Sequence, residues 1–98
     1  METQFPVVTV CGSMRYFKKM LDLASKLTTD GFIVLMPFKS IPTDEQEGNS
    51  IKEMLDEMHL TKISMSEAIF VIGEHRGKST TREIEYAREH GVKVIEIA

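Results

Sequence analysis

Two stretches of this sequence carry residues that can do chemistry. One is Gly12-Ser13-Met14-Arg15, between an apolar run and a helical pattern. Backbone N–H groups at such a turn point outward with the positive end of a helix dipole behind them, and so attract an anion. The Ser13 hydroxyl and the two-pronged Arg15 guanidinium add donors that suit a phosphate or a sugar hydroxyl. The other stretch runs from Gly77 to Ala87 and includes Ser79 and Glu83. A helix start favours a carboxylate, and a carboxylate held beside a sugar can attack the anomeric carbon through an oxocarbenium-like transition state. The same Glu83 has a structural reading. Thr80-Thr81-Arg82-Glu83 fits a capping box, in which Thr and Glu satisfy each other's free backbone donors, and on local grounds that reading is the stronger.

Other motifs fail on spacing. Gly77-Lys78-Ser79-Thr80 suggests a phosphate loop, but only Glu74, His75 and Arg76 separate Gly73 from Gly77, one residue too few. In Cys11-Gly12-Ser13-Met14-Arg15 the thiol and the guanidinium are too close for a ring of backbone amides between them, so Cys11 reads as a small buried apolar side chain. His59, His75 and His90 show no metal-site spacing and no carboxylates clustered with them, so neither a metal nor another cofactor is expected. The seven methionines fall mostly at core positions and read as gap fillers.

Positioning these residues falls to alternating strands and helices. Val7-Val8-Thr9-Val10-Cys11 is a buried strand closed by Gly12-Ser13. Apolar residues Phe17, Leu21, Ala24 and Leu27, with Met20 alongside, then mark a helix that stops at Asp30-Gly31. Phe32 to Met36 forms a second strand, ended by Pro37. Lys39 to Asn49 is polar enough to be a loop, long enough for a lid. Ser50-Ile51-Lys52-Glu53 predicts a capping box opening a second helix, with an apolar stripe of Ile51, Met54, Leu55, Met58 and Ile63 that runs to about Ser66. Ala68 to Ile72 is a third strand, Thr80 begins a third helix that stops at His90-Gly91, and Val92 to Ile97 is an edge strand.

This order, with no hairpin signal, predicts an α/β fold: a Rossmann-like or flavodoxin-like three-layer sandwich on a four- to five-stranded parallel sheet. Ligands bind such sheets beyond the carboxyl ends of the strands, at the loops after Gly12, Pro37 and Gly73. Residues 1–98 make a single domain, small enough that pairing with a second copy is expected. The formal net charge is -3 with basic residues scattered, which argues against duplex nucleic acid. A single cysteine, no signal-peptide pattern and no long apolar run point to a cytoplasmic protein away from membranes.

The chain resembles the nucleoside 2-deoxyribosyltransferase-like superfamily, which includes base-exchanging transferases and nucleotide N-glycosidases. Val10 to Arg15, His59-Leu60-Thr61-Lys62-Ile63 with Ser66-Glu67, and Ser79 to Ala87 carry the likeness, the last being the most specific. The resemblance makes Glu83 the nucleophile and carries a 5'-phosphate contact over to Ser13 and Arg15; Gly12 and Ser79 are the further candidate ligands of a nucleoside or nucleoside 5'-monophosphate. It also implies a homodimer or larger homo-oligomer. Two acidic positions that help with the base in the family fall on His59 and Glu67, which makes His59 a catalytic candidate; His75 and Glu74 are the other possible proton donors. Thr9 stands where relatives often have a Tyr that orients the nucleophile, so that orienting hydrogen bond is either absent or supplied by Tyr16. The alternative reading is a non-catalytic nucleotide-binding module with Glu83 as a helix cap.

Overall fold

The computed structural model describes residues 4–38 and 45–97. Four strands, β1 (Val7–Gly12), β2 (Ile33–Leu35), β3 (Ala68–Ile72) and β4 (Lys93–Ile97), form one sheet in the order β2-β1-β3-β4. Every pairing is parallel, with Thr9 opposite Leu35 on one side and Ile69 on the other. The chain reverses direction across the sheet between β1 and β3, and the crevice that this opens at their carboxyl ends is where flavodoxin-like sheets bind ligands. β4 lies at an edge, as its pattern predicts. β2, at the other edge, is three residues long against the five expected, and Ile33 within it is exposed.

Strand alternation divides the core into two layers. Val8, Val10, Ala68 and Ile72 face a first helix, α1 (Phe17–Thr29), and close over its Met20 and Leu27. Cys11, Ile69 and Val71 face the opposite way, against Leu60 and Ile63 of α2 (Glu45–Ser64) and Ile84 and Ala87 of α3 (Lys78–Glu89). Helices therefore cover both faces, and the three-layer arrangement stands. Burial of this apolar surface, at roughly 25 cal/mol per Å², is what holds the layers together.

The helices depart from expectation in instructive ways. On α1 the stripe includes Leu23, half-buried against the core, while Leu21 is exposed. The helix is also preceded by one 3-10 turn, Met14–Tyr16. α2 begins at Glu45, so Ser50 lies inside the helix and the expected capping box is not its start. The helix takes in part of the expected loop, and the remainder of that loop, residues 39–44, lies outside the described residues. Its buried face carries His59, Leu60 and Ile63, leaving Met54 and Met58 exposed. Met14 and Met65 are exposed as well, so most of the described methionines are not core fillers.

Candidate active site

Gly12 ends β1 with φ +152, and a Cβ there would come within 2.9 Å of the Ile72 carbonyl oxygen, so β1 and β3 approach closely only because this residue has no side chain. Just beyond β3, Gly73 has φ +87 and lies under the ring of Tyr16, where any side chain would overlap the aromatic carbons. The Tyr16 hydroxyl accepts a hydrogen bond from the His75 backbone N–H at 3.2 Å. These contacts tie the loop after β1 to the loop after β3.

Between the two loops lies a cavity of about 480 Å³. Gly12, Ser13 and Met14 line it from β1, Pro37 and Phe38 from beyond β2, Lys52, Leu55, Asp56 and His59 from α2, and Gly77 through Thr80 with Glu83 from α3. Its volume falls within the range of small-molecule sites.

At the cavity's inner wall the His59 Nε2 and a Glu83 carboxylate oxygen are 2.7 Å apart. His59 is 5% exposed and Glu83 9%. A carboxylate can only accept, so Nε2 carries the proton and donates it. One oxygen of Glu83 is thereby held by the imidazole. The Cys11 sulfur lies 3.5 Å from the same nitrogen. Burial, and secondarily the Glu83 charge, push the Cys11 thiol well above its usual range, which favours its protonated form at neutral pH. The remaining ring nitrogen, Nδ1, is buried with no hydrogen-bond partner among the described residues.

This geometry revises the capping-box reading of Glu83. α3 starts at Lys78 with Gly77 as its N-cap, so Glu83 is the sixth helical residue, past the first turn, and Thr80 is itself inside the helix and buried. The Glu83 side chain is engaged by an imidazole on a neighbouring helix. The residues expected at the anion site are placed differently. Ser13 caps the 3-10 turn, its hydroxyl accepting from the Arg15 backbone N–H at 3.4 Å, and the Arg15 side chain is exposed and not part of the cavity lining. By contrast, the 12-residue α3 begins in the lining with no side-chain cap and no acidic residue in its first turn. Its leading N–H groups, which lack partners within the helix, stand beside Lys78 and Ser79.

Of the expected site residues, Gly12, Ser13, His59, Ser79 and Glu83 come together and Arg15 does not. Glu67 is exposed at the opposite end of β3, and Glu74 and His75 are exposed outside the lining, which leaves His59 as the one lining residue among the three candidate proton donors. The Tyr16 hydroxyl contacts the His75 backbone and Thr9 bonds Ser66 at 2.7 Å, while the side chain in contact with Glu83 is that of His59. The expectation that no carboxylate clusters with a histidine is overturned by the same contact. Lys52, Asp56 and Lys78 are lining residues that sequence reasoning missed. Lys52, Asp56 and His59 recur at helical spacing and share one face of α2, a signal present in the sequence once that helix is assigned. No helix among the described residues is long and apolar enough to cross a membrane. Comparison of the chain with protein-family models and with curated proteins returns no match.

Proposed function

We propose that this protein cleaves or transfers the N-glycosidic bond of a nucleoside or nucleoside 5'-monophosphate, with Glu83 as the nucleophile. The observation that carries the reading is the 2.7 Å contact between His59 and Glu83 at the inner wall of a cavity of about 480 Å³. A carboxylate serving only as a helix cap has no need of a buried histidine on another helix. The same reading draws support from the likeness of Ser79 to Ala87 to the nucleophile segment of nucleoside deoxyribosyltransferases.

In this scheme the free oxygen of Glu83 attacks the anomeric carbon. The carbon–nitrogen bond breaks with its electron pair leaving on the base, which takes up a proton from water in the open cavity, and a glycosyl ester forms. Water or a second base then attacks the same carbon and releases Glu83. His59 acts as a positioning residue that fixes which oxygen of the carboxylate faces the sugar. In the same scheme Ser13, Ser79, Lys78 and the leading N–H groups of α3 receive a phosphate or sugar hydroxyls, a role supported by their common presence in the cavity lining. The enzyme is expected to work as a homodimer or larger homo-oligomer in the cytoplasm.

The test is base release from a panel of ribo- and deoxyribonucleoside monophosphates, followed by chromatography for wild type, Glu83→Ala and Glu83→Gln, with and without an acceptor base. Release that vanishes in both variants supports the assignment. Nucleotide binding with no release under any condition would sink it and leave a binding module.

A further inference from the structure

The Cys11, His59 and Glu83 cluster contains three different metal-ligand types, and their ligand atoms all lie within 4.8 Å of one another. The three residues come from β1, α2 and α3, elements that the sheet and its packing hold in place. At tetrahedral angles, zinc bonds of about 2.3 Å to sulfur and about 2.0–2.1 Å to nitrogen and oxygen place ligand atoms roughly 3.3–3.6 Å apart. The Cys11 sulfur and His59 nitrogen already stand 3.5 Å apart. The carboxylate, at 2.7 Å from the imidazole, must swing off the ring by roughly an ångström to open that pair.

We propose that Cys11, His59 and Glu83 form a binding site for a thiophilic divalent cation of the Zn²⁺ type, with its open coordination position facing the cavity. Charge favours such an ion: a dication with one thiolate and one carboxylate is neutral overall, so a buried site gains the ion without an uncompensated charge. A thiolate with an imidazole selects Zn²⁺ over the oxygen-seeking Mg²⁺ and Ca²⁺. Nδ1 has no hydrogen-bond partner among the described residues and so can take the ring proton that must leave Nε2; the Nε2–H bond to Glu83 is given up in exchange for the two metal bonds. The balance is simple. The ion displaces the Cys11 proton to solvent, the imidazole changes tautomer without net proton loss, and no oxidation occurs. His59 and Glu83 both line the cavity, which supplies the entry path.

Occupancy engages an oxygen of Glu83, so on the reaction proposed above the metal-loaded protein is the inactive form. Metal binding can be measured without any turnover, so failure of the glycosidic reading and failure of the metal site are told apart.

The experiment titrates the chelator-treated, reduced 98-residue chain with Zn²⁺ and, as a spectroscopic probe, Co²⁺. Zn²⁺ should bind with one-to-one stoichiometry and raise the melting temperature, while Mg²⁺ and Ca²⁺ do not. Co²⁺ should give a sulfur-to-cobalt charge-transfer band and four-coordinate visible bands. Cys11→Ser should abolish the charge-transfer band, and both Cys11→Ser and Glu83→Gln should weaken Zn²⁺ binding by about 100-fold or more, since even outer-shell losses cost about 10–100-fold. Two folded variants with separate ligands removed guard against misreading an unfolded one. Absence of a charge-transfer band in the folded wild type, or Zn²⁺ affinity unchanged in Cys11→Ser, overturns the proposal.

Discussion

The layer between the sheet and α1 is built from Val8, Val10, Met20, Leu27, Ala68 and Ile72, while the layer beneath α2 and α3 buries Thr9, His59, Ser66, Thr80 and Glu83 along with the Cys11 thiol. The same strand feeds both: β1 sends Val8 and Val10 one way and Thr9 and Cys11 the other. Apolar burial on the α1 side needs only volume and shape, so that layer can hold the sheet with no polar partner to satisfy. On the other side each polar group must find a partner. Thr9 finds Ser66, and Glu83 finds His59, at the two ends of the layer. The comparison separates stability from chemistry by face, and it can be broken from either side.

The largest expected effect is on turnover. Glu83→Gln should lower base release by at least about 10⁴-fold, as loss of a covalent or paired catalytic group does elsewhere, while leaving the melting curve near that of wild type. Chromatographic assay of a matched, folded sample checks this. Next, His59→Ala should reduce kcat by about 10²–10⁴-fold, and His59→Gln, which retains an N–H donor, should recover part of that loss if the ring positions the carboxylate. Equal loss in both variants would instead make His59 the proton donor.

On the apolar side, Met20→Ala removes a side chain with no exposed surface and should cost about 2–5 kcal/mol in urea unfolding, with turnover per folded molecule unchanged. A large drop in specific activity would show that the two faces are not independent. The smallest effect concerns Cys11. Its raised folded pKa means that the unfolded thiol ionises first, so the folded state holds more protons above the unfolded value near 9.0. That contribution to stability is fully present below pH 9.0 and is lost as pH rises towards the folded value. Urea midpoints of wild type should therefore fall faster above this pH than those of Cys11→Ala, and thiol alkylation of the native protein should be slow at neutral pH.

Much of this was legible in the residues. The runs Val7 to Cys11 and Ala68 to Ile72, and the stops at Gly12, Gly31, Gly73 and Gly91, announce parallel strands and their turns because buried parallel strands are continuously apolar and glycine accepts positive φ. Glu83 was visible as a carboxylate near the start of a helix after a strand. Its capping-box reading failed because Thr80 is one residue among several that can sit in a first turn, and a local pattern does not say which one starts the helix. The face of α2 was misassigned for a related reason. With apolar residues on more than one side, Met54 and Met58 compete with Leu60 and Ile63, and only packing against the sheet chooses between them.

By itself the sequence determined the alternation of strand and helix, the three loops that gather at one end of the sheet, and the residue types available there, because these depend on local periodicity and on backbone chemistry at single residues. The tertiary structure alone decided that the sheet runs β2-β1-β3-β4 and that Cys11, His59 and Glu83 meet. Cys11 and His59 are 48 positions apart, and no spacing rule links them. Their contact exists because β1 lies between β2 and β3, so that α2 and α3 pack side by side over its outgoing end, and the fold turns three unrelated positions into one site.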